Sequence, residues 1–256
     1  GWRAQKVGLS RGPLLHLLLW VSVWHELENT VIQVTGLRLG LDRTFKSYDP
    51  EVKLYTVHDR TGKKCGQLIV DCFARPTKQS GAWCGADAGR GMVASRLQLP
   101  IIRLVTNYSP STPAGDVGLT PDDIITLFHE MGHAINHFVS DIDIHRVSEM
   151  GGVEWDAIEI PSQWFEQYGD DPETLLRISR QAGKPLSTAT VQELRRWQTW
   201  FGGTFLIRQI RFGLVDVRLH NQRPKQFLTI WKSLMKYYQK QTVFSGRRLT
   251  NKVHHM

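Results

Sequence analysis

The chain has 256 residues, 41% of them hydrophobic and 22% charged, with a formal net charge of +8. That length can bury a sizeable core, enough for one large domain or one and a half. Three cysteines (Cys65, Cys72 and Cys84) without C-x-x-C spacing exclude a disulfide-built scaffold and a cysteine zinc site, and point to reduced thiols in an intracellular setting.

Residues 14–24, Leu-Leu-His-Leu-Leu-Leu-Trp-Val-Ser-Val-Trp, are apolar but too short to cross a bilayer, which takes about 20 residues. Arg3, Lys6 and Arg11 precede them as in a signal peptide, yet no clear small-residue cleavage site follows. A buried helix, covered by protein lying before it, is the expectation. Residues 26–38 predict a helix; His25-Glu26-Leu27-Glu28-Asn29 opens like a metal string but has Asn where a second histidine belongs. Lys53 to Asp59 and Gly66 to Ala74 are rich in β formers and flank Arg60-Thr61-Gly62-Lys63, which predicts a hairpin. Residues 76–98 hold many Gly, Ser and Ala and predict a loop; Ile101 to Asn107 predicts a strand. Such a sheet beside a cleft is suited to taking a peptide as an added strand.

A loop with Pro110, Pro113 and Gly115 leads to the most informative segment. Thr120 caps, Pro121 suits the first helical position, and Asp122 and Asp123 favour the positive helix start. Ile124, Leu127, Phe128, Met131, Ile135 and Phe138 then form a helical stripe. Within it stands His129-Glu130-Met131-Gly132-His133, an H-E-x-x-H string. Histidines at i and i+4 share a helix face and can hold one zinc ion, with Glu130 placed to take a proton from a water the ion polarises. Gly132 lowers helix propensity by about 1 kcal/mol against Ala, and permits close approach of a second helix or of the site itself.

Catalytic zinc usually takes three protein ligands. Spacing alone leaves Glu154 and Glu159 as rivals for the third place. Gly151-Gly152 marks a turn, and Val153 to Tyr168 predicts a second helix, which Pro161 either kinks or starts. Asp156 and Glu159 would share a face of it, so an acid there could orient a ligand histidine. His137, one turn past His133, reads as a surface histidine. Asp171 and Pro172 open a further helix that Gly183 and Pro185 stop, and the helical remainder breaks at Gly202-Gly203. From residue 194 on, thirteen Lys/Arg face a single acid, Asp216. Phe227, Ile230, Trp231, Leu234 and Tyr238 form a stripe there, with Lys225, Lys232, Lys236 and Lys240 largely off it, as in a solvated amphipathic helix rather than a nucleic-acid face.

Leu127 to His137, followed by Val153-Glu154-Trp155-Asp156-Ala157-Ile158-Glu159-Ile160-Pro161-Ser162-Gln163, resembles the zinc oligopeptidase family of thimet oligopeptidase and oligopeptidase A, the oligopeptidase A branch most. Asp49 to Tyr55, Phe73-Ala74-Arg75, Gly81-Ala82-Trp83, Arg208-Gln209-Ile210, Phe212-Gly213-Leu214 and Arg218-Leu219-His220 extend the resemblance over roughly residues 30–243. Met131 replaces the family's phenylalanine. The resemblance implies His129, His133 and Glu159 as zinc ligands, Glu130 as general base, Asp156 as a supporting acid, and His255 as a contact to substrate or oxyanion. The tyrosine-rich loop that follows this histidine in the family has no counterpart before Met256.

The expectation is a mainly α chain with a small β-sheet (α+β), a zincin-like metallopeptidase core truncated at both ends. Residues 1–25 would be a divergent segment and 26–256 the catalytic domain. It would be a monomeric zinc endopeptidase acting on short peptides, without nucleic-acid or membrane partners, in the cytoplasm or an organelle matrix. The alternatives are an inert zinc-binding fragment of such an enzyme, and a basic nucleic-acid-binding protein with an incidental metal string.

Overall fold

The computed structural model describes residues 17–109, 117–148, 150–183, 185–199 and 202–221. The chain divides into two compact units, Gly1–Leu194 and Arg195–Met256. The first holds helix α1 (Trp20–Thr35), then strands β1 (Arg38–Leu41), β2 (Lys53–His58), β3 (Lys64–Phe73), β4 (Trp83–Ala88), β5 (Gly91–Val93), β6 (Arg96–Gln98) and β7 (Ile101–Tyr108). Helices α2 (Pro121–Val139), α3 (His145–Ser148), a 3-10 turn (Met150–Gly152), α4 (Ile160–Gly169) and α5 (Pro172–Gln181) follow. Helix α6 (Thr188–Thr199) runs across the unit boundary, and α7 (Gly202–His220) belongs to the second unit. This mixed architecture of helices and a small sheet agrees with the α+β expectation.

Five strands form one sheet in the order β1-β2-β3-β7-β4. The β2–β3 hairpin is the predicted one, antiparallel, with Leu54 opposite Ile69. Strand β7 returns parallel to β3, and β4 closes the sheet antiparallel to β7, with Cys84 opposite Leu104. Residues 76–98 are therefore not a plain loop: they supply an edge strand and the β5–β6 hairpin. Pairing with β7 overrides the weak local preference of Gly-, Ala- and Ser-rich sequence.

One sheet face and the helices share the main core. Val57, Leu68, Val70, Ile102 and Leu104 meet Val23, Leu27 and Val31 of α1, and Ile124, Leu127, Phe128, Met131, Ile135 and Phe138 of α2. The six residues of the α2 stripe are all buried, as their spacing predicts. Alternation sends Val52, Leu54 and Ile69 into a small second cluster. Leu18, Val23 and Trp24 are buried too, so the apolar residues after position 16 take part in the core.

Helix α1 is pinned at two points. Its carbonyl end closes on Gly36 in the left-handed region (φ 76°), and Arg60 lies so close above that any Cβ would collide with it. The near-metal string of this helix has a structural role. Buried Glu26 pairs with Arg177 of α5 at 2.6 Å, and His25 Nδ1 lies 3.2 Å from Gln181 Oε1.

Candidate metal centre

Helix α2 begins with a full capping box. Thr120 N–H donates to Asp123 Oδ2 (2.9 Å), and Asp123 N–H donates to Thr120 Oγ1 (3.2 Å). That start, with the buried stripe, sets the rotation of the helix and points His129, Glu130 and His133 to one side. Glu130 and His133 are nearly inaccessible, whereas His129 is half-buried.

The second wall is α4. It begins at Ile160, later than the predicted Val153, because Pro161 occupies the first turn and the residues before it form turns. Gly132 lets the two helices cross at backbone contact. A Cβ there would lie 2.6 Å from the Pro161 carbonyl oxygen, 2.7 Å from Ser162 Cα and 3.0 Å from Phe165 Cβ. The close approach expected at Gly132 is thus made by a second helix, next to the site.

This crossing brings Glu159 to the histidines. Its Oε2 lies 3.2 Å from His129 Nε2 and 3.2 Å from His133 Nε2. One ligand atom from each of the three residues falls within 4.8 Å of the others. Two imidazoles and one carboxylate are a donor set typical of catalytic zinc. Ligand distances of about 2.0–2.1 Å in a tetrahedral shell put neighbouring donors roughly 3.3 Å apart, close to the observed spacing. The residues present therefore fit a zinc-sized ion. Glu159 is about half exposed, so the cluster is open on that side.

Two of the three ligand residues are held by a neighbour outside the cluster. Ser162 donates its hydroxyl to Glu159 Oε2 at 2.7 Å. Chiefly through that bond, against the cost of partial burial and with help from both histidines, the Glu159 carboxyl is held below its ordinary range. His129 Nδ1 lies 2.9 Å from Glu166 Oε2, which fixes the tautomer with its proton on Nδ1 and leaves Nε2 free to bind. Burial lowers the pKa of His133, which favours the neutral, ligating form. Burial raises Glu130 to about 7, with Glu159 pushing the same way, while His129 and the backbone N–H of Cys84 on β4 oppose it.

Of the residues named from sequence, His129, His133 and Glu159 come together, with Glu130 beside them on α2. Asp156 does not join them. With α4 starting only at Ile160, Asp156 and Glu159 no longer share a helix face. Asp156 stands exposed on the preceding turn and makes no hydrogen bond or ion pair among the described residues. Glu166, which sequence reading passed over, takes the place beside His129. Its only signal was a spacing of seven residues, two helical turns, from Glu159. Glu154 is exposed and outside the cluster, His137 is buried rather than at the surface, and His255 lies outside the described residues.

The chain matches peptidase family M3 over residues 23–256. It belongs to that family. Oligopeptidase A of Escherichia coli is 34% identical over 212 residues, which is 81% of this chain and 31% of that protein. Two proteins of Arabidopsis thaliana, organellar (chloroplastic/mitochondrial) oligopeptidase A and probable cytosolic oligopeptidase A, are each 32% identical over 184 residues. Those matches cover 68% of this chain, and 23% of the organellar and 26% of the cytosolic protein. The chain thus spans about a third or less of the length of the relatives it matches. The M3 membership bears out the family resemblance read from the motifs.

Proposed function

We propose that this chain carries the catalytic centre of a zinc-dependent oligopeptidase that hydrolyses internal bonds of short peptides. The observation that carries this reading is one carboxylate oxygen of Glu159 lying 3.2 Å from both His129 Nε2 and His133 Nε2. The names of the M3 relatives support the reaction class and the short substrates.

His129, His133 and Glu159 would hold the ion, which when bound supplies a Lewis acid that polarises a carbonyl and acidifies water. Glu130 takes the proton of the attacking water and passes it to the leaving amine. Its raised pKa suits that exchange near neutral pH, because the same group must accept and then return the proton. Glu166 keeps His129 turned toward the ion, and Ser162 does the same for Glu159. Strand β4 is a sheet edge packed against α2, so a peptide added alongside β4 would run near the general base. His255 is proposed as a contact to substrate or oxyanion. The three thiols are free and no described helix is long and apolar enough to cross a membrane; a reducing compartment, cytosol or organelle matrix, fits both.

The alternative already weighed, an inert zinc-binding portion of such an enzyme, differs in one outcome: metal is bound but no peptide is cleaved. Zinc per chain and cleavage of a quenched fluorescent peptide of about ten residues separate the two. Glu130→Gln should keep one zinc and lose cleavage by at least about a hundredfold, while His133→Ala should lose the zinc. Zinc binding without cleavage by the unaltered chain selects that alternative, and full activity in Glu130→Gln refutes the general-base assignment.

A further inference from the structure

Strand β4 is poorly specified by its own sequence, although it packs against α2, the helix that carries Glu130. Gly85, Ala86 and Ala88 are weak β formers, and strands of this kind hold their register loosely. A slip of one residue along β7 would turn every β4 side chain to the other face and carry the backbone along by about 3.4 Å. Something outside the ladder must fix where β4 sits.

The side chain of Asn107 on β7 does so. Trp83 stands opposite Val105, Cys84 opposite Leu104 and Gly85 opposite Arg103. Continued two residues outward, that register sets Gly81 opposite Asn107, just before β4 begins. There the Asn107 amide donates to the Gln79 carbonyl at 2.9 Å and to the Gly81 carbonyl at 2.8 Å. The two bonds use both hydrogens of the amide. Gly81, at φ 112°, supplies a bend that a side chain would strain. The start of the same connection is fixed by Lys78, whose side chain is buried. Its ammonium donates to the carbonyls of Asp71 (2.7 Å), Phe73 (2.9 Å) and Thr106 (2.6 Å), at the ends of β3 and β7. Residues 79–82 alone lie between Lys78 and β4, so a slip of the strand must break one of the two grips.

We propose that Asn107 is a positioning residue for substrate: by fixing the register of β4 on β7 it sets where the edge backbone meets a peptide beside Glu130. The peptide comes from the reading under Proposed function, on which this inference rests; the register does not. Asn107→Asp keeps the shape but has no hydrogen to give and turns a carboxylate on two carbonyl oxygens, whereas Asn107→Gln keeps the donors. Amide hydrogen exchange over residues 83–88 should quicken at least about tenfold in Asn107→Asp and return part of the way in Asn107→Gln. In zinc-loaded Glu130→Gln chains, which leave the substrate uncut, anisotropy of a labelled ten-residue peptide should show affinity falling about five- to tenfold with Asn107→Asp, at unchanged zinc content. With Glu130 intact, the same change should raise KM and leave kcat within about twofold, because bonds to the edge backbone are made alike in ground and transition states. Unchanged exchange overturns the register assignment. Faster exchange at unaltered peptide affinity, an effect confined to kcat or zinc, or no peptide binding when Asn107 is intact overturns the positioning role. A fall in affinity in a chain that cuts no peptide supports the proposal while refuting the catalytic reading.

Discussion

Replacing Gly132 by Ala tests whether helix contact builds the metal cluster. In an isolated helix the change would stabilise by about 1 kcal/mol. Here the new Cβ meets the Pro161 carbonyl oxygen at 2.6 Å and Ser162 Cα at 2.7 Å. Both are main-chain atoms that no rotamer change can move aside. Relief requires α2 and α4 to separate by several tenths of an ångström, up to roughly 0.8 Å if the closest contact is to reach ordinary distance. Overpacking costs about 1–3 kcal/mol, and rigid neighbours put this case near the upper end, for a net loss of about 2 kcal/mol after the propensity gain. For a domain of this size that lowers Tm by roughly 4–8 °C. The same separation carries Glu159 away from His129 and His133, and ligand distances tolerate only about 0.2 Å. Zinc affinity, measured by competition with a chromophoric chelator, should fall at least about tenfold. A Gly132→Ala chain that melts at or above the parent temperature and holds zinc equally well would refute this account of the crossing.

Three other perturbations have defined outcomes. Glu166→Ala removes the partner of His129 Nδ1 and should weaken zinc binding about 10–100-fold with little change in melting; Glu166→Gln, which keeps an acceptor oxygen, should recover part of it. Ala94 and Ser95, at the β5–β6 turn, sit at φ 46° and 63°, so Ala94→Asn/Ser95→Gly should stabilise the chain by about 1 kcal/mol in chemical denaturation. Buried Asp71 has its pKa raised by desolvation, but hydrogen bonds from Arg75, Lys78 and Tyr48 outweigh that and hold it well below the usual carboxylate range. A depressed folded-state pKa stabilises above the unfolded value of about 4 and loses that stabilisation as pH falls through it. Asp71→Asn should therefore cost about 3 kcal/mol at pH 7, and the gap should narrow below about pH 4; a gap independent of pH would count against the ion-pair explanation.

Helix α2 was legible in full because every local signal agreed: cap, first-turn proline, acidic start and a stripe at period 3.6. The same string supplied two candidate ligands and the base. Glu159 was not separable from Glu154 by spacing and came from the family resemblance; the structure shows why Glu159 is the residue within reach, since Gly132 admits the start of α4 and leaves Glu154 behind on a turn. What sequence missed depends on tertiary context. Strand β4 contains Gly85, Ala86 and Ala88, poor β formers, and exists because β7 offers it an edge. His137 read as a surface residue because only one buried face was assumed for α2, whereas sheet and helices enclose most of its circumference. Glu166 needed the helix start to be placed correctly before its face could be known.

Protein contacts surround the cluster. Ser162 holds Glu159, Glu166 holds His129, and burial favours the neutral form of His133. Ser162 and Glu166 are not themselves among the three ligand residues, so each ligand they touch is oriented by a side chain that the ion would not bind. Side chains oriented by such neighbours lose less rotamer freedom when an ion binds, which favours affinity. The penalty appears as buried polar groups, Glu130 above all, whose carboxylate is destabilised by removal from water. A fold that accepts such a group beside two histidines and an acid loses stability at a single place, and that place is where a proton must be exchanged if a peptide bond is to be cut.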